Sequence, residues 1–187
     1  EVLRRIDEYL SNPVKCRMVQ SRAERDEDFL TLLVKSMEPR FDQYANSNIS
    51  NHLCLKVIEL SCSHPARLKV LLSGIQAKFQ QLMTDSYGTR ILQRLIEKIC
   101  QTEQIVEVLK QFKGRVYEMV MSNNANHVIQ KAIAHISQSQ ADFIYQEILD
   151  SYKEIGCHKH GCCVIQRCID YCSEERRVMT ANQDAFS

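Results

Sequence analysis

Pairs of aliphatic residues followed by a polar one recur along the chain, in "TRILQ" from Thr89, "NHVIQ" from Asn126 and "CCVIQ" from Cys162. Their last residues, Gln93, Gln130 and Gln166, stand 37 and 36 residues apart. Upstream, the aliphatic pair of "CLKVIEL" ends at Ile58, which makes Glu59 the equivalent anchor, 34 residues before Gln93. "CRMVQS" supplies Gln20, a further 39 residues back. A fixed period of this size is the signature of a repeat architecture.

Residues outside the motif keep the same period. Positions 10, 14 and 18 before each anchor are Leu10, Ile6 and Val2; Ile49, Ala45 and Phe41; Met83, Phe79 and Ile75; Val120, Val116 and Phe112; Gly156, Tyr152 and Ile148. Only Gly156 is neither apolar nor Tyr, and steps of four place the rest on one helical face. Each unit therefore predicts a helix, a short break, and a second helix that carries the motif. Breaks fall near Asp85-Ser86, Ser122 to Asn124 and His158-Lys159, where Asp, Ser and Asn cap the following helix. Pro13 after Asn12 suits a first helical turn. Segments 64–72, 101–109 and 139–149 open each next unit.

On the second helix, Val128 and Ile129 continue into Ile133 and Ile136 as a buried stripe. No single unit can bury such a stripe, so the units must stack around one continuous core. The chain predicts one domain over 1–187, with motifs ending near 20, 59, 93, 130 and 166. Residues 173–187 read as a truncated unit, because only ten residues separate Cys172 from Gln183.

Composition narrows the class. Five Gly and three Pro leave little material for the turns of an all-β fold, and 44% hydrophobic residues suit a folded chain. Nine Cys at irregular spacing predict free thiols in a reducing compartment. No apolar run reaches the roughly 18 residues of a membrane span, and no signal peptide opens the sequence. The first residue is Glu1 rather than Met, which predicts a piece of a longer chain. A formal charge of +1 argues against binding nucleic acid by charge alone, though not against reading bases.

The motif also predicts a polar row. Asn126 and Gln130 are four apart and share a face away from Val128 and Ile129, as do Thr89 with Gln93 and Cys162 with Gln166. His127 and Arg90 stand beside that row. A solvated helix face would account for any one Gln, a good helix former. It does not account for Gln at one register in three units. An amide offers a donor and an acceptor side by side, which matches a base edge. Arg or His beside it can stack on the base.

These units resemble Pumilio (PUF) repeats, a family that reads single-stranded RNA one base per repeat. The resemblance rests on "TRILQ", "NHVIQ" and "CCVIQ", with the glycines of "SYGTR" and "KHGCC", and covers nearly the whole chain. It implies an all-α fold, a right-handed, crescent-shaped α-solenoid. It implies that the first and fifth motif residues meet the base edge and the second stacks between bases. Asn126 and Gln130, with His127 stacking, then imply uracil. Cys162 with Gln166, and Thr89 with Gln93 beside Arg90, imply adenine. Cys16, Arg17 and Gln20 fit the adenine pattern too. Three features depart from the family. Leu55, Lys56 and Glu59 replace the polar triplet, so that unit is expected to meet RNA without reading a base specifically; Cys163 cannot stack as Arg or Tyr would; Ala125 replaces a usual Gly. The family has eight repeats and this chain about five. With RNA antiparallel to the chain, the units spell 5′-A-U-A-n-A-3′. Asn126→Ser is expected to shift its position from U to A with the melting temperature hardly moved.

Rival readings carry less. "CHKHGCCVIQRCIDYC" is rich in Cys and His but lacks paired zinc-ligand spacing, and Cys168 and Cys172 fall on the core stripe. No catalytic motif is present, and His52 and His135 read as helix-surface residues, so neither enzyme activity nor a cofactor is expected. A protein-binding solenoid of the armadillo or HEAT type shares the period but gives no reason for the Gln register. The resemblance implies sequence-specific RNA binding at mRNA 3′ untranslated regions, as a cytoplasmic monomer that lowers translation or stability, with protein co-repressors as further partners. The alternative is a degenerate scaffold that binds proteins.

Overall fold

A computed structural model describes residues 2–171, and every regular element among them is helical. The first repeat holds α1 (Ile6–Leu10), α2 (Pro13–Ala23) and α3 (Glu27–Met37). The second holds α4 (Phe41–Ala45), α5 (Asn51–Ser61) and α6 (Pro65–Ala77). The third holds α7 (Phe79–Thr84), α8 (Ser86–Ile99) and α9 (Ile105–Leu109). The fourth holds α10 (Val116–Met121), α11 (Asn126–His135) and α12 (Gln138–Asp150). The fifth begins with α13 (Tyr152–Gly156) and α14 (Gly161–Tyr171). The chain divides into two compact units, one ending at Gln111 with repeats one to three, the other starting at Phe112 with repeats four and five.

The repeat is thus built of three helices where two were expected. A break residue of one backbone geometry stands immediately before the first helix of every repeat. Arg5, Arg40, Lys78, Arg115 and Ser151 all have φ between −119° and −130° and ψ between 1° and 33°. That ψ lies far from the helical value near −42°, so the helix cannot continue through them. The apolar stripe runs on in phase across the break, as Ile75, Phe79 and Met83 do across Lys78. A pattern of steps of four cannot reveal such a break.

The break residues also fix the register. Each precedes its anchor by fifteen residues at Gln20, Gln93, Gln130 and Gln166. In the second repeat, Arg40 then assigns the anchor to Leu55 rather than Glu59. The expected triplet Leu55, Lys56 and Glu59 is therefore one helical turn late. "KVIE" imitates the motif there because Leu53 and Cys54 lie on the same stripe as Val57 and Ile58, one turn on. All four are fully buried.

The motif helices bury one pattern. Ile91, Leu92, Leu95 and Ile96 on α8, and Val128, Ile129, Ala132 and Ile133 on α11, are at most 3% exposed. Helix α5 packs between α2 and α8, and α11 packs on α14. Stacking supplies the burial, as the first motif helix shows. Met18 is 62% exposed, whereas its equivalents Leu53, Ile91, Val128 and Val164 are fully covered. Covering a side chain of that size stabilises by about 1.5–3 kcal/mol. Cys168, expected on the core stripe, is only half-buried. Cys172 and the tail 173–187 lie outside the described residues.

Side-chain caps start α2 and α8, whereas α5 and α11 begin at Ser50 and Ala125 without one, so the cap expected at Ser122 to Asn124 is absent. Asn12 accepts from the amides of Val14 and Lys15 at 3.0 Å each. Asp85 accepts from Tyr87 N at 2.7 Å and Gly88 N at 3.0 Å. A Cβ on Gly161 would lie 2.0 Å from the carbonyl oxygen of Ile155, so this approach of the short helix to α14 requires glycine.

Candidate nucleic-acid interface

The first motif residue is turned inward in four repeats. Cys16, Asn51, Thr89 and Asn126 are at most 5% exposed, and only Cys162 is open. The second residue points outward in all five: Arg17, His52, Arg90, His127 and Cys163 are exposed. The fifth residue is intermediate. Gln20, Leu55, Gln93 and Gln130 are half-buried, and Gln166 is exposed. The row that faces solvent is thus led by the second position and edged by the fifth.

Asn126 does not lie on an open face, as its spacing had suggested. Its Nδ2 donates to the carbonyl oxygens of Ser122 at 2.7 Å and Asn123 at 3.0 Å. Its Oδ1 accepts from Gln130 Nε2 at 2.9 Å. Asn126 therefore closes the turn ahead of α11 and holds the Gln130 amide in place. Gln130 keeps one N–H and its carbonyl oxygen for a partner, a donor and an acceptor in one plane.

The second repeat repeats this turn. Asn51 Nδ2 donates to the carbonyl oxygen of Ser47 at 2.7 Å, and Ser47 Oγ accepts from the amide of Ile49 at 3.2 Å. In the fourth repeat, Ser122 Oγ accepts from the amide of Asn124 at 3.3 Å. Asn51 and His52 are the site residues that the motif anchors missed. "SNISNHLCL" against "SNNANHVIQ" carried the signal: Ser47, Asn48, Asn51 and His52 match Ser122, Asn123, Asn126 and His127. Leu55 in place of Gln concealed it.

Lys56 and Glu59 serve another purpose. Lys56 Nζ pairs with Glu59 at 3.1 Å on its own helix and with Glu24 of the first repeat at 3.9 Å. Arg94 of α8 pairs with Glu97 at 3.1 Å, and its Nε reaches Glu59 at 3.0 Å. The result is a ladder of alternating charge across α2, α5 and α8. Arg94 first, and Lys56 second, hold the Glu59 carboxyl below its ordinary range. Glu59 is thereby tied to Lys56 on its own helix and to Arg94 on α8.

An open cleft of about 670 Å³ lies between α2 and α5, lined by Cys16, Arg17, Gln20, Ile49 and His52 among others. The second-position residues of two successive repeats, Arg17 and His52, both line it. In the third repeat the Arg90 guanidinium lies over the Tyr87 ring at 5.7 Å from its centre. Gln20 Nε2 donates to Glu24 at 3.3 Å and Gln166 Nε2 to Asp170 at 2.9 Å. Thr89 Oγ1 donates to the carbonyl oxygen of Ser86 at 3.1 Å. His160 Nε2 lies 2.7 Å from Asn123 Oδ1 beside the fourth motif. Desolvation, then the charges of Lys159, His158 and His127, lower the His160 pKa. Among the described residues no group of three or more His, Cys, Asp or Glu is placed to hold a metal ion. No described helix is long and apolar enough to cross a membrane.

Helical repeats of one register, each with an exposed second motif residue and all but the second with an amide-bearing fifth, define a helical-repeat protein. The Pumilio-family RNA binding repeat matches residues 78–111, 115–149 and 151–181, more than half of the chain, and the chain belongs to that family. It is 28% identical over 182 residues to a Pumilio domain-containing protein of Schizosaccharomyces pombe, covering 91% of this chain and 26% of that protein. It is 31% identical over 166 residues to pumilio homolog 8 of Arabidopsis thaliana, covering 87% and 32%. Among solved structures, the Puf4 RNA-binding domain bound to the HO endonuclease RNA 3′ UTR recognition sequence superposes with a TM-score of 0.81 at 27% identity. That match covers 89% of this chain and 51% of the Puf4 domain. The chain spans about half of such solved domains and a quarter to a third of these relatives. The fold is an α-solenoid of helical repeats, as the residue pattern had implied.

Proposed function

We propose that this chain binds single-stranded RNA with its row of second and fifth motif residues, one nucleotide per repeat. The observation that carries the reading is the common register of five motif helices, each with its second residue exposed beside a partly exposed fifth. Aromatic, guanidinium and amide groups in such a row suit splayed bases. The solved relatives bound to 3′ UTR sequences support the same partner.

Gln130, held by Asn126, offers a donor and an acceptor to the N3–H and a carbonyl of uracil. By family resemblance the pairs Cys16 with Gln20, Thr89 with Gln93 and Cys162 with Gln166 read adenine, with Arg17, Arg90 and His127 stacking. In the second repeat, Asn51 is tied to Ser47 and Leu55 has no polar group, so His52 stacks on a base that is not selected. The order 5′-A-U-A-n-A-3′ survives the change of register, because the unselective repeat stays in its place. The chain acts, in this reading, in post-transcriptional control of cytoplasmic mRNAs through their 3′ untranslated regions. Protein co-repressors complete that action. Selection from a randomised RNA pool tests it. Enrichment of that order is expected, and recovery of no motif would leave a protein-binding solenoid as the better account.

A further inference from the structure

The fifth repeat carries a thiol pair of which base reading uses one member, Cys162, and leaves Cys163 without a task. Cys162 and Cys163 are consecutive, both exposed, and both in the first turn of α14. Cys162 Sγ donates to the carbonyl oxygen of Lys159 at 3.3 Å, and Cys163 Sγ donates to the same oxygen at 3.6 Å. The two thiols thus converge on one carbonyl oxygen. Hydrogen bonding to Cys162 is the first cause of the raised pKa of Cys163.

We propose that Cys162 and Cys163 form a chelating dithiol for a thiophilic centre that is satisfied by two sulfurs, of the trivalent arsenical class, on the face that meets RNA. The ligand class follows from the donor set. Zinc needs about four ligands, and no third His, Cys, Asp or Glu joins the pair among the described residues. A monosubstituted trivalent arsenic takes two thiols and no more. With an arsine oxide, both S–H bonds and the As–O double bond break. Two As–S bonds form, the two protons leave with the oxygen as one water, and arsenic stays trivalent. Among the described residues no other two cysteines are both exposed, since Cys62, Cys100 and Cys168 are half-buried. Cys16 and Cys54 are buried and burial raises both thiols, while exposed Cys157 supplies one sulfur.

That the captured group faces RNA rests on the function proposed above, whereas capture itself does not. The test treats the reduced chain with phenylarsine oxide, without RNA, and maps the adduct by mass spectrometry after digestion. One phenylarsenic bridging Cys162 and Cys163 is expected. A 2,3-dimercaptopropanol wash should remove it, and a monothiol at equal sulfur concentration should not. Cys162→Ser and Cys163→Ser should each abolish capture and Cys157→Ser should not. Arsenic mapped elsewhere, or capture that survives either of the first two substitutions, overturns the site. Loading should then weaken RNA binding at least tenfold. Unchanged affinity on a chain that does bind RNA overturns the placement of the pair on that face.

Discussion

Gln130 donates to Asn126 across one turn of α11 at 2.9 Å, while Asn126 donates to two backbone carbonyls of the preceding turn. The residue that touches the chain and the residue that offers a polar edge are therefore different members of one pair.

Asn126→Ser separates the two roles. A Ser hydroxyl supplies one proton and is too short to reach both carbonyls and Gln130. Two part-buried hydrogen bonds to backbone carbonyls are lost, so stability is expected to fall by about 1–3 kcal/mol in urea denaturation. This reverses the expectation from spacing alone that the melting temperature would hardly move. Gln130→Ala, at a half-buried position, should leave stability within about 1 kcal/mol and remove the preference for U. A fully stable Asn126→Ser chain would contradict the turn-closing role.

Glu59→Gln tests the charge ladder. Glu59 and Lys56 are partly exposed, so the loss is expected to be about 0.5–1 kcal/mol at pH 7 and smaller in high salt. The folded pKa of Glu59 lies below its unfolded value. Its contribution is therefore present above the ordinary carboxylate range and disappears as pH falls through the lower folded pKa. Wild type and Glu59→Gln should converge in stability at acid pH, and RNA affinity at pH 7 should not change. A gap that persists unchanged well below the carboxylate range would contradict the ladder.

Salt dependence distinguishes reading bases from holding phosphates. With a formal charge of +1, few phosphates are neutralised, and the log–log slope of affinity against salt should be shallow. A slope steeper than about −5 would mean five or more phosphate contacts and contradict the base-centred account.

Much of this was legible in the residues. The stripe of Val128, Ile129, Ile133 and Ile136 is buried, and Asn12 and Asp85 cap as short polar residues do. The repeats at Gln20, Gln93, Gln130 and Gln166 were correctly spaced. Three features were hidden, each for a physical reason. The break at Lys78 keeps the phase of four, so Ile75, Phe79 and Met83 read as one helix. Leu55 lacks the amide that marks the anchor, and a slip of one turn leaves every aliphatic on the same stripe. Asn126 reads as a surface residue from periodicity, yet a short side chain at the first turn bends back to its own backbone.

Leu55→Gln gives the most direct measurement of the whole account, because it gives the second repeat the same three residue types as the fourth: Asn51, His52 and Gln against Asn126, His127 and Gln130. Wild type and variant are each taken through selection on a randomised RNA pool. Wild type is expected to enrich 5′-A-U-A-n-A-3′, and Leu55→Gln to enrich 5′-A-U-A-U-A-3′, with a discrimination of about 1–3 kcal/mol at the changed nucleotide. A wild-type pool without the adenines, or a variant pool still unselective at that one position, would contradict it.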